Sequence, residues 1–133
     1  ATHLDESLGA RLATNRSDGF PHVTPVWFIR DGTRVLITLG ERRRHLRNLR
    51  ADPRATLLVD IDERSEPGPG TAVRAAMLSA AVELSADADA VAHWAGRIDE
   101  RYLGTTSDAL AAEGYTLVIL EPTVILSWDF SKS

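Results

Sequence analysis

The sequence predicts a mainly β fold, an antiparallel barrel of about six or seven short strands with two helices. Short runs rich in β-branched and aromatic residues recur along the chain, and turn signals such as Asp18-Gly19 and Asp31-Gly32 separate them. The hydrophobic pattern changes to helical spacing at two places, near residues 42–51 and 88–103. No Gly-x-Gly-x-x-Gly motif follows a predicted strand, so nothing favours a parallel α/β sheet.

Length and composition indicate one domain, residues 1–133, because 133 residues with 44% hydrophobic content can bury a single core. The net charge of −4 is a poor match to a nucleic-acid-binding protein. Cysteine is absent, and neither a long apolar run nor a signal pattern at the N-terminus is found. We therefore expect a soluble cytoplasmic protein without a membrane or nucleic-acid partner.

The first strands follow from two runs of apolar and β-branched residues. One strand is predicted to begin at Leu12–Thr14, after a turn of helix that Asp5 could cap. Residues 20–30 predict a second strand, and Pro21 and Pro25 within it indicate an edge strand or a bulge.

The Asp31-Gly32 pair predicts a tight hairpin between that strand and a third one at residues 33–39. A type I′ turn is expected, because both of its central residues need positive φ. The three strands should then form a meander.

A short helix is predicted over about 42–51, where Leu46 and Leu49 share one face. It should end near Ala51, because the residue before a proline is steered away from helical geometry and Asp52 precedes Pro53.

Residues 71–85 are rich in alanine and allow two interpretations. Alanine is the best helix former, so a helix is a real alternative. We favour one long strand, because the barrel needs more sheet to close. It follows a buried strand at residues 55–61 and a polar Pro/Gly-rich loop at residues 62–70.

The last third of the chain predicts a helix and two strands. Asp87 is a candidate N-cap for a helix over 88–103, and Gly104 is a natural residue for its C-terminal stop. Residues 115–130 then predict two strands that are broken at Glu121-Pro122.

Positive charge is concentrated in one short segment. Positions 42–54 contain six arginines and a histidine: Arg42, Arg43, Arg44, His45, Arg47, Arg50 and Arg54. Arginines at the start of a helix offer charge-assisted hydrogen bonds beside free backbone N–H groups, which favours a phosphate ligand. Two alternatives remain open, a solvated charged face and a nucleic-acid patch.

These residues also carry a resemblance to a known family. The most specific motif is Arg43-x-His45-x-Arg47-Asn48-Leu49-x-x-Asp52-Pro53-Arg54, which an apolar strand follows. Together with WAGRIDERYLG and VILSWDF, it resembles the pyridoxamine 5′-phosphate oxidase-like split β-barrel superfamily, and within it the actinobacterial flavin and deazaflavin oxidoreductases that use coenzyme F420. The resemblance spans about Leu8 to Phe130.

The resemblance implies a homodimer whose cofactor lies between two barrels, with Arg43 and Arg47 at the cofactor's phosphate. His45 stands where the family usually has a lysine, so His45→Lys is expected to tighten binding at pH 8. The cofactor-binding residues implied in this way are His22, Val23, Thr24, Pro25, Val26, Trp27, Thr38, Gly40, Arg42, Arg43, Arg44, His45 and Arg47.

The same resemblance implies an oxidoreductase that transfers a hydride from reduced F420 to an unsaturated small molecule. The cofactor is F420 or alternatively FMN, and the cofactor carries the chemistry, so no catalytic side chain is predicted. An FMN-dependent enzyme of pyridoxamine-phosphate-oxidase type and a non-catalytic flavin or deazaflavin carrier are the alternatives. No histidine has partners at metal-ligand spacing, so no metal site is predicted.

Overall fold

The computed structural model describes residues 9–62, 73–104 and 114–129. In these ranges the strands are β1 (Ala10–Asn15), β2 (Pro21–Pro25), β3 (Ile29–Asp31), β4 (Arg34–Gly40), β5 (Arg54–Asp62), β6 (Val73–Ser85) and β7 (Tyr115–Asp129). The helices are α1 (Arg44–Ala51) and α2 (Ala88–Leu103). All the strands pair antiparallel in one sheet of order β2-β1-β5-β6-β7-β4-β3. The predicted mainly β fold with two helices is confirmed, whereas the turn of helix expected at Asp5 lies outside the described residues.

The sheet curls because its two edge strands are almost consecutive in the chain. β2 and β3 lie at opposite edges, yet only Val26–Phe28 separate them. Four Cα steps, from Pro25 to Ile29, span at most about 15 Å, so the two edges must approach one another. We call Val26–Phe28 the crossover. A hydrogen bond of 3.1 Å from the Val26 N–H to the Ala10 carbonyl attaches the start of the crossover to β1.

This crossover corrects two expectations. Residues 20–30 are not one strand, and the first strands do not form a meander, because β2 pairs only with β1 while β3 pairs with β4. The physical reason is pairing. Burial still alternates through the crossover, with Val26 and Phe28 buried and Trp27 exposed, but β1 and β4 lie at different places in the sheet, so the two halves of the run pair with different neighbours. Both prolines of the run lie on the edge strand β2, as predicted.

The β3–β4 hairpin is confirmed, but its turn differs from the expected type. Asp31 pairs with Arg34, so Gly32 and Thr33 are the central residues. Among the described residues only glycines have positive φ, and Gly32 has φ of 61°. Glycine at the first central position is the requirement of a type II′ turn.

The alanine-rich segment is the strand β6, as predicted, and it lies between β5 and β7. Pairing on both sides satisfies its backbone groups, which outweighs the small intrinsic preference of alanine for a helix. The expected break at Glu121-Pro122 is wrong, because β7 is continuous. A bulge accommodates the proline: Ser79 faces Val124 and Ala80 faces Pro122, which leaves one extra residue on β7.

Both helices have the predicted ends at their C-termini. α1 stops at Ala51 and Asp52 is extended, but the helix begins at Arg44 and not at residue 42. At the start of α2, the Asp87 carboxylate accepts a hydrogen bond of 2.9 Å from the Ala90 N–H. Gly104 ends α2 in the left-handed conformation, with φ of 80°. No helix in the described part of the chain is long and apolar enough to cross a membrane.

The core fills the barrel, and α1 covers one of its ends. Leu46 and Leu49 on α1 are buried in the same cluster as Phe28 and Leu57. A second, smaller cluster packs α2 onto the outside of β4 and β7. Both helices therefore pack against β4.

The C-terminal end of α2 holds the crossover in position. The Phe28 N–H donates to the Tyr102 hydroxyl at 3.1 Å, and the Arg101 guanidinium donates to the Phe28 carbonyl at 2.8 Å. The same guanidinium lies 4.5 Å from the centre of the Phe28 ring. These contacts fix the backbone of Phe28, the residue that follows Trp27.

Candidate functional site

A half-open recess of about 360 Å³ lies between the crossover, the end of β4 and one face of α2. Its walls also include the last residue of β2, the residue that precedes α1 and the first residue of β7. The lining residues are Pro25, Val26, Trp27, Thr38, Leu39, Gly40, Arg43, Ala95, Ile98, Asp99 and Tyr115.

Aromatic rings form one side of the recess. The indole of Trp27 is stacked on the Tyr102 ring, with ring centres 4.7 Å apart and planes within 8° of parallel. Trp27 is nevertheless 46% exposed, and Tyr115 at the mouth is 43% exposed. Large exposed aromatic side chains with a fixed orientation are suited to packing against a planar ligand.

Arg43 supplies a free positive charge in the recess. It is the N-cap of α1, with extended backbone angles, and does not lie inside the first turn as expected from the sequence. Its backbone N–H donates to the Gly40 carbonyl at 3.0 Å, which closes the turn that leads into the helix. Within the described ranges its guanidinium has no hydrogen bond or ion pair, so all its donors are available to a ligand.

Gly40 leaves space beside Arg43. A methyl group added at its Cα would meet Arg43 Cγ at 3.6 Å and Tyr115 Cε1 at 3.9 Å, which are ordinary contact distances. The backbone of Gly40 is therefore open to the recess, and a ligand can approach closer than a side chain would allow. Together with the arginine, this cradle fits an anionic group such as a phosphate.

The other arginines of the cluster point elsewhere. Arg50 forms an exposed ion pair of 2.8 Å with Glu41, and Arg54 forms one of 2.8 Å with Asp52. Hydrogen bonds from Arg54 and Asn15 lower the pKa of the Asp52 carboxyl to about 2. These two arginines are therefore part of a solvated face, as the alternative interpretation of the cluster expects.

Arg44 and Arg47 face a different part of the surface. They line a second recess, of about 510 Å³, between α1 and the β1–β2 turn. Arg42 is exposed and lines neither recess. The arginines of the cluster therefore point to different parts of the surface. Arg44 and Arg47 lie on one face of α1, whereas Arg43 precedes the helix.

His45 lies in the interior of the protein. Only 1% of the residue is exposed, and its Nδ1 is hydrogen-bonded to the Thr14 hydroxyl at 2.8 Å. Its Nε2 is buried and has no hydrogen-bond partner among the described residues, and the His22 ring packs edge-on at 4.4 Å. Burial, followed by the charges of His22 and Arg43, lowers the pKa of His45 to about 4. His45 does not line the recess.

The recess brings together part of the predicted site. The predicted residues that line it are Pro25, Val26, Trp27, Thr38, Gly40 and Arg43. Those that do not line it are His22, Val23, Thr24, Arg42, Arg44, His45 and Arg47. Residues 22–24 belong to β2, where they pair with β1 at the edge of the sheet.

The sequence did not identify the wall that α2 contributes. Ala95, Ile98 and Asp99 share one helical face at i, i+3 and i+4, and this spacing is the only signal in the sequence. Tyr115 enters because it pairs with Gly40 in the β4–β7 ladder, a contact between residues that are far apart in the chain.

The described residues form an antiparallel barrel whose recess is lined by aromatic side chains and one arginine. Residues 2–129 match the family described as Pyridoxamine 5′-phosphate oxidase, and the chain belongs to this family. The predicted membership of this superfamily is confirmed.

Solved structures agree with this assignment. An F420 reductase is 27% identical, with a TM-score of 0.76, and the match covers 94% of each chain. The conserved hypothetical protein Rv2991 from Mycobacterium tuberculosis has a TM-score of 0.83 at 22% identity, over 96% of this chain and 81% of that one. An FAD-binding protein from Mesorhizobium loti has a TM-score of 0.73 at 18% identity, over 96% and 90%. The split-barrel fold is shared by all three.

Proposed function

We propose that the protein is an oxidoreductase that binds a phosphate-bearing flavin-type cofactor, with the deazaflavin F420 favoured over FMN. The observation that carries this proposal is Arg43, which pairs with no residue in the described part of the chain, beside the open backbone of Gly40 and an exposed Trp27. The match to an F420 reductase over 94% of both chains supports the choice of F420.

Different residues of the chain would bind the phosphate and the ring of the cofactor. Arg43 would bind the phosphate through charge-assisted hydrogen bonds, and Trp27 would pack against the planar ring. The apolar residues of α2 that line the recess would keep water from one side of the ring. A bound and reduced cofactor supplies a hydride for an unsaturated acceptor.

Fluorescence titration of the purified protein with F420 and with FMN tests this proposal. We expect saturable binding of at least one cofactor, with F420 the tighter ligand. Dissociation constants above about 1 mM for both, equivalent to roughly 4 kcal/mol of binding, would contradict it. Oxidation of the bound reduced cofactor by a panel of unsaturated acceptors then separates an enzyme from a carrier protein, because a carrier accelerates none of them.

We also propose that a second copy of the chain completes the site. The recess is half open, and a separate apolar surface is exposed on β7, formed by Val124, Ile125 and Leu126. Consecutive strand residues point to opposite faces, so both faces of this segment are uncovered. One edge of the segment is unpaired as well among the described residues, because β4 pairs with β7 only as far as Leu120 and beyond that residue β7 pairs with β6 alone. A two-stranded apolar ribbon of this kind is suited to packing against its own copy.

We expect the Val124→Asp substitution to abolish dimer formation. A charge within an apolar interface is costly to bury, so the variant should be monomeric at micromolar concentration. Val23→Asp is the matched control, because Val23 is 56% exposed on β2 and Val124 is 52% exposed. Light scattering should give twice 14.5 kDa for the wild type and the control. A wild-type mass near 14.5 kDa would contradict the proposal.

A further inference from the structure

The recess contains two opposite charges that do not pair with each other. Arg43 lies at the junction of β4 and α1, and Asp99 lies on α2, so different elements hold them. Neither side chain forms an ion pair or a hydrogen bond with any described residue. Arg43 and Asp99 are therefore too far apart to form an ion pair with each other. The recess is therefore positive on one wall and negative on another.

The position of Asp99 is fixed by its neighbours on α2. Ile98 is buried against the barrel, and Tyr102, one turn further, is stacked on Trp27. The nearby cations of α2 have other contacts. Arg101 binds the Phe28 carbonyl, and the Arg97 guanidinium lies 5.9 Å from the centre of the Trp94 ring. Asp99 is thus held on the wall without a cation from its own helix.

A carboxylate in this setting restricts the ligand. An ionised carboxylate only accepts hydrogen bonds, and a half-buried one without a partner loses hydration for no gain. A simple anion bound at Arg43 would also be repelled by Asp99. The preferred ligand is therefore bipolar, with an anionic group for Arg43 and an N–H donor for Asp99.

We propose that Asp99 accepts a hydrogen bond from the ring N–H of the bound cofactor and selects ligands that carry this donor. This inference rests on the proposed function. The oxidised isoalloxazine ring has a single N–H, at the imide nitrogen N3, and the deazaflavin ring has the same imide. Asp99 thereby determines specificity at the end of the ligand opposite the phosphate.

Matched variants and matched ligands test this role. Fluorescence titration with FMN should show Asp99→Ala weakening binding about tenfold to a hundredfold, as expected for a lost charge-assisted hydrogen bond. Glu100→Ala, the next residue on the exposed face of α2, should bind FMN like the wild type. FMN methylated at N3 should bind the wild type more weakly than FMN, whereas Asp99→Ala should bind both ligands equally.

Inorganic phosphate gives a readout that a merely structural role would not produce. As a competitor of FMN, phosphate should bind Asp99→Ala as tightly as the wild type or more tightly, because a like charge has been removed. Arg43→Ala should bind both FMN and phosphate more weakly than the wild type. Equal FMN affinities for Asp99→Ala and Glu100→Ala, or equal discrimination against the N3-methyl ligand in wild type and Asp99→Ala, would overturn the role. Weaker phosphate binding in Asp99→Ala would overturn it as well.

The same titrations separate this inference from the proposed function. Wild-type protein that binds neither FMN nor F420 contradicts the proposed function, and the role of Asp99 fails with it. Wild-type protein that binds FMN without dependence on Asp99 leaves the proposed function intact and overturns only the inference.

Discussion

The free energy of unfolding should fall by about 2 kcal/mol when the pH is lowered from 6.5 to 4.5, because of His45 alone. Burial lowers the pKa of His45 from 6.5 to about 4 in the folded protein. Below pH 6.5 the unfolded chain therefore takes up a proton that the folded chain does not bind. Stability is lost through this window, and the loss ends near pH 4, where the folded form is protonated as well.

Between pH 6.5 and 4.5 the effect of His45 on stability is largely separate from that of the carboxylates. Hydrogen bonds from Thr116 and Arg50 lower the pKa of Glu41, and those from Arg54 and Asn15 lower that of Asp52. The stability that these two groups contribute is lost as the pH falls through and below their ordinary values, 4.5 and 3.8, so most of that loss lies below the window.

Urea unfolding at several pH values measures the effect. His45→Met replaces the imidazole by an uncharged side chain that adapts to core packing, so its stability should be nearly constant between pH 6.5 and 4.5. His93→Gln is the control, because His93 is exposed on α2 and the variant should keep the full pH dependence. The explanation is wrong if His45→Met and the wild type lose stability in parallel.

The buried position of His45 also changes an expectation from the sequence. Lysine at this position was expected to tighten phosphate binding at pH 8. With 1% of the residue exposed, a lysine would place an ammonium group in the core, which costs several kcal/mol. His45→Lys should therefore be strongly destabilised, with a lower midpoint in urea at pH 8.

Arg43→Ala should weaken cofactor binding by about one to two decades, equivalent to roughly 1.5–3 kcal/mol for one charge-assisted contact. Arg43 is the arginine of the 42–54 segment that lines the recess, and its guanidinium is unpaired in the part of the chain that the structure describes. It faces no competing carboxylate from its own segment, so its full hydrogen-bonding capacity is available to the phosphate.

Arg50→Ala is the matched control, because Arg50 already pairs with Glu41 and lies outside the recess. Its affinity for cofactor should stay within about twofold of the wild type, since an exposed ion pair contributes little. Arg44→Ala and Arg47→Ala extend the comparison, because they remove charge from the second recess. Equal losses in all four variants, measured by the same titration, would show that the cluster acts only through its overall charge.

Local features of the sequence determined most of the secondary structure. The Asp87 cap, the Gly104 stop and the proline after Asp52 each act over a few residues, so the helix ends at these sites could be predicted. Gly32 fixed the position of a hairpin for the same reason. The resemblance to the family in turn predicted Trp27, Gly40 and Arg43 as cofactor-binding residues, and the structure brings these three to one recess.

Only the tertiary structure decided how these parts are arranged. Whether residues 20–30 form one strand depends on β1 and β4, which lie at different places in the sheet and bind its two halves separately. The arginines of 42–54 have different surroundings. Arg50 and Arg54 pair with carboxylates close in the chain, whereas Arg43 lines a recess whose other walls come from distant segments. Asp99 and Tyr115 reach the recess through α2 and the β4–β7 ladder, and His45 is buried because α1 packs on Thr14 of β1. Such contacts join residues far apart in the chain, and no pattern within a short window of sequence specifies them.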